Sequence, residues 1–275
     1  MNRWVKIISI VTGVIILAIG LLIANSLLGN PVSKMVAKNS AQKYLEETYS
    51  EEDFIIEDIF YNFKDGAYNV KVISPSSIDS HFYLTIPFKK VVRDSYEDDV
   101  LSGWNTYQRI DEEYRKTVES VFSAEDFPIE SDIDFGTIEL LEENAPDNFE
   151  QPDYGVQLEE LELDKMYDVK KLAKTTGHLV YYAEEKEISF ENASEYLMNI
   201  KNELDEAGIP FYAIDFVLQN SKEDSGKPYE DNASIHTSNF LYDDIYEEDL
   251  AERIEQNHQM LMEYYEQEDE KMKEK

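Results

Sequence analysis

Phe54-Ile-Ile-Glu-Asp-Ile-Phe-Tyr-Asn-Phe-Lys-Asp-Gly-Ala-Tyr-Asn-Val-Lys-Val-Ile73 decides the fold of the first half of the chain. Ile55, Ile59, Tyr61 and Phe63 form one set, and Lys64-Asp65-Gly66 supplies a turn. Alternation then resumes as Tyr68, Val70 and Val72, with Asn69 and Lys71 on the opposite face. A period of two marks a half-buried strand, and two such runs joined through a Gly-containing connection form a β-hairpin. A third strand follows Ser74-Pro75-Ser76-Ser77, with Phe82, Leu84, Ile86 and Phe88 on one face and His81, Tyr83 and Thr85 on the other. Val91 and Val92 add a short fourth.

Outward from this meander the period becomes helical. Upstream, Ser33 stands as an N-cap before Met35, Val36, Ala37, Ala41, Tyr44 and Leu45, an amphipathic helix ending near Tyr49. Downstream, Trp104, Tyr107, Tyr114, Val118 and Val121 predict a helix over residues 105–122 that closes the first unit by packing on its sheet. One helix laid across an antiparallel meander is a cystatin-like or PepSY-like α+β arrangement.

Residues 123–152 read as a linker holding a strand, because Pro128, Pro146 and Pro152 flank Ile133, Phe135, Ile138, Leu140 and Leu141. A second α+β domain follows over residues 153–275. It holds a short helix near Val169 to Lys174, a stop at Gly177, a strand from His178 to Ala183, and a helix capped by Ser189 and ended by Gly208. Strands at Phe211 to Leu218 and Ser234 to Tyr242 flank a polar loop from Asn220 to Asn232. Leu250, Ile254, Leu261 and Tyr264 then form the stripe of a docked helix with a solvated end. The expected sheets of both domains are antiparallel.

Ahead of these domains, residues 7–33 carry no charged side chain, and twelve Ile, Val or Leu residues lie between Ile7 and Ala24. On an insertion scale these supply about −4 to −7 kcal/mol, partly offset by Ser9, Thr12, Gly13 and Gly20. With Arg3 and Lys6 in front, the layout is that of a signal peptide or signal anchor. The expectation is a transmembrane helix over residues 1–29, single-pass in the cell membrane, with the body extracytoplasmic. Ala24-Asn25-Ser26 supplies a small-x-small pattern for cleavage, but the run exceeds an ordinary signal h-region and favours an uncleaved anchor. The first α+β domain then occupies residues 30–122.

The formal charge is −34, and without Arg3 and Lys6 the remainder holds 23 basic against 59 acidic groups, a balance of −36. Such a field repels phosphate backbones, so nucleic acid is not an expected partner of the body. The chain has no cysteine, which excludes disulfides, thiolate metal sites and a thiol nucleophile. A cysteine-free exported domain is compatible with a Gram-positive source.

Four strings then carry a family resemblance: Asn30-Pro-Val-Ser-Lys34, Lys43-Tyr-Leu-Glu-Glu-Thr-Tyr49, Ser74-Pro-Ser-Ser-Ile-Asp-Ser-His-Phe82 and Leu101-Ser-Gly-Trp-Asn-Thr-Tyr107. Together they resemble the YfjL-like proteins of Bacillus and its relatives, small membrane-anchored proteins of unassigned function. The resemblance is strongest over residues 1–122 and implies a division into two domains. It carries no catalytic residue with it.

Chemical motifs are weak throughout. Ser40-Ala-Gln-Lys43 has the Ser-x-x-Lys spacing of penicillin-binding enzymes, and Lys174-Thr-Thr-Gly177 approaches their third motif with one residue too many. No Ser-Asp-Asn lies between them. Ser221 to Asn232 places Gly226 as a calcium loop would, but lacks its acidic first and twelfth ligands. Glu97-Asp98-Asp99, Asp111-Glu112-Glu113 and Asp243-Asp244 are neighbours expected from an acidic composition. Glu255 and His258 have one di-iron-type helical spacing where two are required. His81, His178 and His236 show no ligand spacing. No catalytic, metal or cofactor-binding residue is therefore assigned, and no cofactor is expected. The reading that remains is a membrane-tethered, non-enzymatic module binding an envelope protein or peptide through an aromatic groove or an exposed sheet edge. Its alternatives are a cation-dependent envelope hydrolase using clustered carboxylates and a passive scaffold of a membrane complex.

Overall fold

The computed structural model describes residues 3–141, 152–220 and 234–273. Contacts divide the chain into two units, Met1–Thr106 with Glu162–Asp164, and Tyr107–Leu161 with Lys165–Lys275. The polar loop expected at residues 220–232, with its calcium-loop spacing, lies almost wholly outside the described residues.

Arg3–Leu28 forms helix α1, 26 residues long. The expected transmembrane helix is nevertheless corrected: among the described residues, no helix is long and apolar enough to cross a membrane. Arg3 and Lys6 stand at its start, Ser9, Thr12, Gly13 and Gly20 interrupt the apolar side chains that follow, and each weighs against insertion.

Helix α2, Pro31–Thr48, is capped one turn earlier than expected. Asn30 Oδ1 accepts from the Ser33 N–H at 2.8 Å, and Pro31 at the first helical position loses nothing by lacking a donor. The Tyr68 hydroxyl ties this start to the sheet by donating to the Asn30 carbonyl at 2.9 Å while accepting from its N–H at 2.8 Å. The first sheet has the order β1 (Ile55–Asn62), β2 (Ala67–Ile73), β3 (His81–Ile86), β4 (Arg93–Asp94), all antiparallel. The fourth strand lies just past the Val91-Val92 pair expected for it. Ala37, Ala41 and Leu45 of α2 pack with Ile59, Val70, Val72, Phe82, Leu84 and Ile86, and Val100 of the π-helical turn Glu97–Leu101 joins the same core.

Helix α3, Trp104–Phe122, does not close that core, contrary to expectation. Its Ile110, Tyr114, Val118 and Phe122 belong to the second core. The reason lies in Gly136, where an added Cβ would stand 2.5 Å from Val118 Cγ2 and 3.0 Å from Tyr114 Cε1. The missing side chain lets α3 lie directly on the strand that follows it. That strand is β5, Ser131–Ile138, the one expected within the linker. It begins a sheet ordered β5, β6 (Gly177–Glu185), β7 (Ala213–Asn220), β8 (Ser234–Leu241).

The second sheet is mixed, not antiparallel, because β6 and β7 run parallel. Helix α5, Phe190–Glu206, connects them, and only a crossover of such length can return a chain to a parallel neighbour. The Ser189 hydroxyl caps α5 and Gly208 leaves it with φ +63°, as the sequence indicates. Helix α4, Val169–Thr176, and helix α6, Leu250–Lys273, complete the unit. Asn257 of α6 bonds both backbone groups of Ser238, accepting at 3.0 Å and donating at 3.1 Å. An amide side chain thus occupies the place of a further strand on the outer edge of β8, which blunts a surface otherwise open to pairing.

The first unit is also tied by Asp164, which is far away in sequence. Its carboxylate accepts from the Ser77 hydroxyl at 2.7 Å and from the N–H groups of Ile78 and Asp79 at 2.8 and 3.0 Å. The buried Asp79 carboxylate returns the contact, accepting from the Asp164 N–H at 3.0 Å and the Thr106 hydroxyl at 2.9 Å. Asp164 has φ +61°, a conformation that Asn also tolerates. Hydrogen bonds to a charged acceptor contribute about 1.5–3 kcal/mol each, with losses that do not add fully. Asp164→Asn is expected to destabilise the protein by about 1–2 kcal/mol and Asp164→Ala by about 2–4 kcal/mol. Denaturant unfolding checks both values, and a change within about 0.5 kcal/mol for the alanine variant would contradict the tie.

Candidate functional site

The outer face of the first sheet, opposite α2, gathers the residues best placed to meet a ligand. Strand alternation sends Phe60 of β1, Asn69 of β2 and both Tyr83 and Thr85 of β3 to this side. Phe60 is 44% exposed and Tyr83 37% exposed, and their rings meet edge to face at 6.2 Å. The Thr85 hydroxyl donates to Asn69 Oδ1 at 2.9 Å. Arg93 and Ser95 border the aromatic pair, Asp65 reaches it from the hairpin turn, and Asp99 from the π-helical turn Glu97–Leu101. These side chains line a cleft of 340 Å³.

Its wall is held by main-chain and side-chain bonds together. The Ser95 hydroxyl accepts from the Tyr83 N–H at 2.9 Å and donates to Asp99 Oδ2 at 2.5 Å. Arg93 meets Asp98 at 3.4 Å, with both side chains more than two thirds exposed, so this pair restrains the guanidinium only weakly. The cleft offers two aromatic surfaces, an amide, a hydroxyl, a guanidinium and carboxylates. That set can stack on a ring and exchange hydrogen bonds, and within it the Ser95 hydroxyl adjoins the Asp99 carboxylate.

Behind the sheet, Asp94 faces inward. It accepts from the Tyr44 hydroxyl at 3.0 Å, the Tyr49 hydroxyl at 2.8 Å and the Tyr96 N–H at 2.9 Å. Burial, followed by the bond to Asp94, raises the pKa of both phenols, which therefore remain donors.

The residues weighed in the sequence are dispersed. Lys43 pairs with Glu47 at 3.6 Å, while Lys174 and Gly177 lie in the other unit at the end of α4 and start of β6. Asp111 accepts from the Thr137 hydroxyl and the Ile138 N–H at 2.6 and 2.8 Å, and Glu112 pairs with Lys116 at 2.7 Å. Asp243 and Asp244 sit in a short 3₁₀ turn. Glu255 accepts from Gln259 at 3.3 Å. Among the described residues, no group of three or more His, Asp or Glu is placed to hold a metal ion.

The histidines serve the framework. The His81 carbonyl accepts from Asn105 Nδ2 at 2.6 Å. His258 Nδ1 lies 3.1 Å from both the N–H and the carbonyl of His236, continuing the edge closure made by Asn257. His178, 6% exposed, stands with Nδ1 2.6 Å from the Tyr154 hydroxyl and Nε2 3.5 Å from Asp215 Oδ1. Tyr154 also donates to Asn239 Oδ1 at 2.9 Å, and the Asn239 N–H donates to Asp215 at 2.7 Å. This network joins residues scattered from 154 to 239, so no local spacing announces it. Burial, followed by the charges of Glu139 and Asp215, raises the Tyr154 pKa and keeps the phenol protonated.

A family model described as "YfjL-like, N-terminal domain" matches residues 4–99, and one described as "YfjL-like C-terminal domain" matches residues 113–255. The chain belongs to the YfjL-like family. No curated protein and no solved structure matches it. Within this YfjL-like chain, the outer-face cleft lies in the part carrying the N-terminal match, apart from the His178 network in the C-terminal match.

Burial, with the neighbouring His258 adding to it, lowers the His236 pKa below the ordinary histidine value. A folded chain that resists protonation where the unfolded chain accepts it loses stability as pH falls below about 6.5. His81 is lowered in the same sense, chiefly by burial, so His236 accounts for part of the loss. Thermal unfolding from about pH 7 to about pH 5 is expected to show a smaller decline for His236→Gln than for the parent protein, by up to about 1.4 kcal/mol per pH unit. An equal decline in both would contradict the assignment.

Proposed function

We propose that this protein is a non-enzymatic binding module that holds an extended segment of an envelope protein or peptide against the outer face of its first sheet. The observation that carries the reading is the exposed Phe60–Tyr83 pair set among Asn69, Thr85 and Arg93. Aromatic side chains on a solvent-facing sheet cost solubility, and an interface is where their large contact area is useful. Among the described residues, β1 has β2 as its sole strand neighbour, and on β1 the Ile59 N–H is taken by Asp58 Oδ1 at 2.7 Å, so an added strand would pair with the remaining backbone groups of its other edge. A bulge between Ile56 and Asp58 interrupts that edge, so register would be set by the stretch from Asp58 to Asn62.

Location outside the cytoplasm is part of the proposal. Arg3 and Lys6 ahead of an apolar run are the layout of an export signal, and the acidic body carries little to retain it on nucleic acid. Protease added to intact, wall-stripped cells is expected to digest the body, and full protection would contradict export.

Cross-linking in intact cells with mass spectrometry tests the binding role. Partners recovered with the parent protein are expected to fall about tenfold or more with Phe60→Ala/Tyr83→Ala, each aromatic anchor contributing about 1–2 kcal/mol. Both rings are substantially exposed, so the variant is expected to unfold within about 1 kcal/mol of the parent. Undiminished recovery, or no reproducible partner for the parent, would contradict the role.

A further inference from the structure

A second cleft, 570 Å³ in volume, opens between α2 and the connection from β3 to β4. Lys43 enters it from α2, and Lys89 and Lys90 from the connection. Three lysines in one lining are conspicuous against a whole-chain charge of −34 with only 25 Lys and Arg residues. Among the described residues, Lys89 and Lys90 form no ion pair, and Lys89 lies 5.3 Å from the centre of the Phe88 ring. Glu47 supplies the cleft's one carboxylate, at 3.6 Å from Lys43. That pair is largely exposed and therefore weak, so it does not neutralise the site.

We propose that this cleft binds a phosphate-bearing ligand. The basic side chains are all lysines. An ammonium group acts as a compact point charge suited to phosphate, whereas planar carboxylates are recognised best by the fork of an arginine. Three ammonium groups suit the multiple negative oxygens of a phosphate, and Ser40 adds a hydroxyl within the same cleft. Val36 and Val91 supply an apolar border for an organic substituent, so the ligand class is a phosphate ester. The surrounding acidic surface repels the same group and restricts it to this place. The ester could belong to a phospholipid head group or to a free molecule, and both present the same chemistry to the lysines.

The test uses the full chain with two probes, inorganic phosphate followed by calorimetry and vesicles of phosphatidylglycerol followed by co-sedimentation. Phosphatidylcholine vesicles are the comparison. Lys43→Gln, Lys89→Gln and Lys90→Gln are each expected to weaken binding about fivefold, from a contribution near 1 kcal/mol per lysine. Lys116→Gln, whose partner is Glu112 on α3, is expected to leave it unchanged. Loss of phosphate binding in the cleft variants supports the proposal with a free ester as ligand. Loss of phosphatidylglycerol binding alone supports it with a lipid head group. Absence of binding to both probes, or binding that the three cleft variants leave intact, overturns it. Thermal unfolding of each variant confirms that these exposed substitutions leave the fold in place.

Discussion

The arrangement of the first unit depends on one carboxylate, Asp94. Its strand is only two residues long, and a ladder of that length has little stability of its own. Backbone bonds of Val92 and Ser95 to Thr85 and Tyr83 extend it, and the inward turn of Asp94 to the phenols of Tyr44 and Tyr49 fixes it to α2. Around this point Tyr49, Phe54, Phe82 and Tyr96 pack with ring centres 5.0 to 5.6 Å apart. Aromatic pairs contribute about 0.5–1.5 kcal/mol each beyond the area they bury. The end of α2, the start of the meander and its last strand are thus joined by one polar centre inside an aromatic shell.

Both clefts follow from that placement. Because Asp94 faces in, its neighbours Arg93 and Ser95 face out and complete the wall beside Phe60 and Tyr83. The connection immediately before β4 carries Lys89, Lys90 and Val91 against α2, where Lys43 and Ser40 meet them. The cleft proposed for a peptide-like partner and the cleft proposed for a phosphate ester therefore share a support without sharing a residue.

The strands of the first sheet were legible because inward Val, Leu, Ile and Phe alternate with outward polar residues, and period two has one structural meaning. The same alternation placed Tyr83 opposite the apolar face of its strand, which was the available sign of the cleft, while Phe60 carried no assignment. Direction was harder to read. Leu179, Tyr181 and Ala183 face the core identically in a parallel or antiparallel pair, and the crossover through α5 decides between them. The destination of α3 was hidden for a similar reason: an amphipathic stripe says that a helix is buried, not against which sheet, and Gly136 was the local clue. Asp94, Asp164 and the Tyr154–His178–Asp215 contacts join positions distant in sequence, so no window of residues contains them. At the N-terminus, apolar composition foretold the helix Arg3–Leu28, while the further step to a membrane span is not upheld among the described residues.

Hydrogen–deuterium exchange of the full chain, alone and with the partner recovered by cross-linking, locates the binding face. Amides of β3, His81–Ile86, and of residues 93–99 are expected to exchange more slowly in the complex, with the second sheet unchanged. Protection confined to the second sheet, with β3 and residues 93–99 unaltered, would contradict the assignment of the binding face.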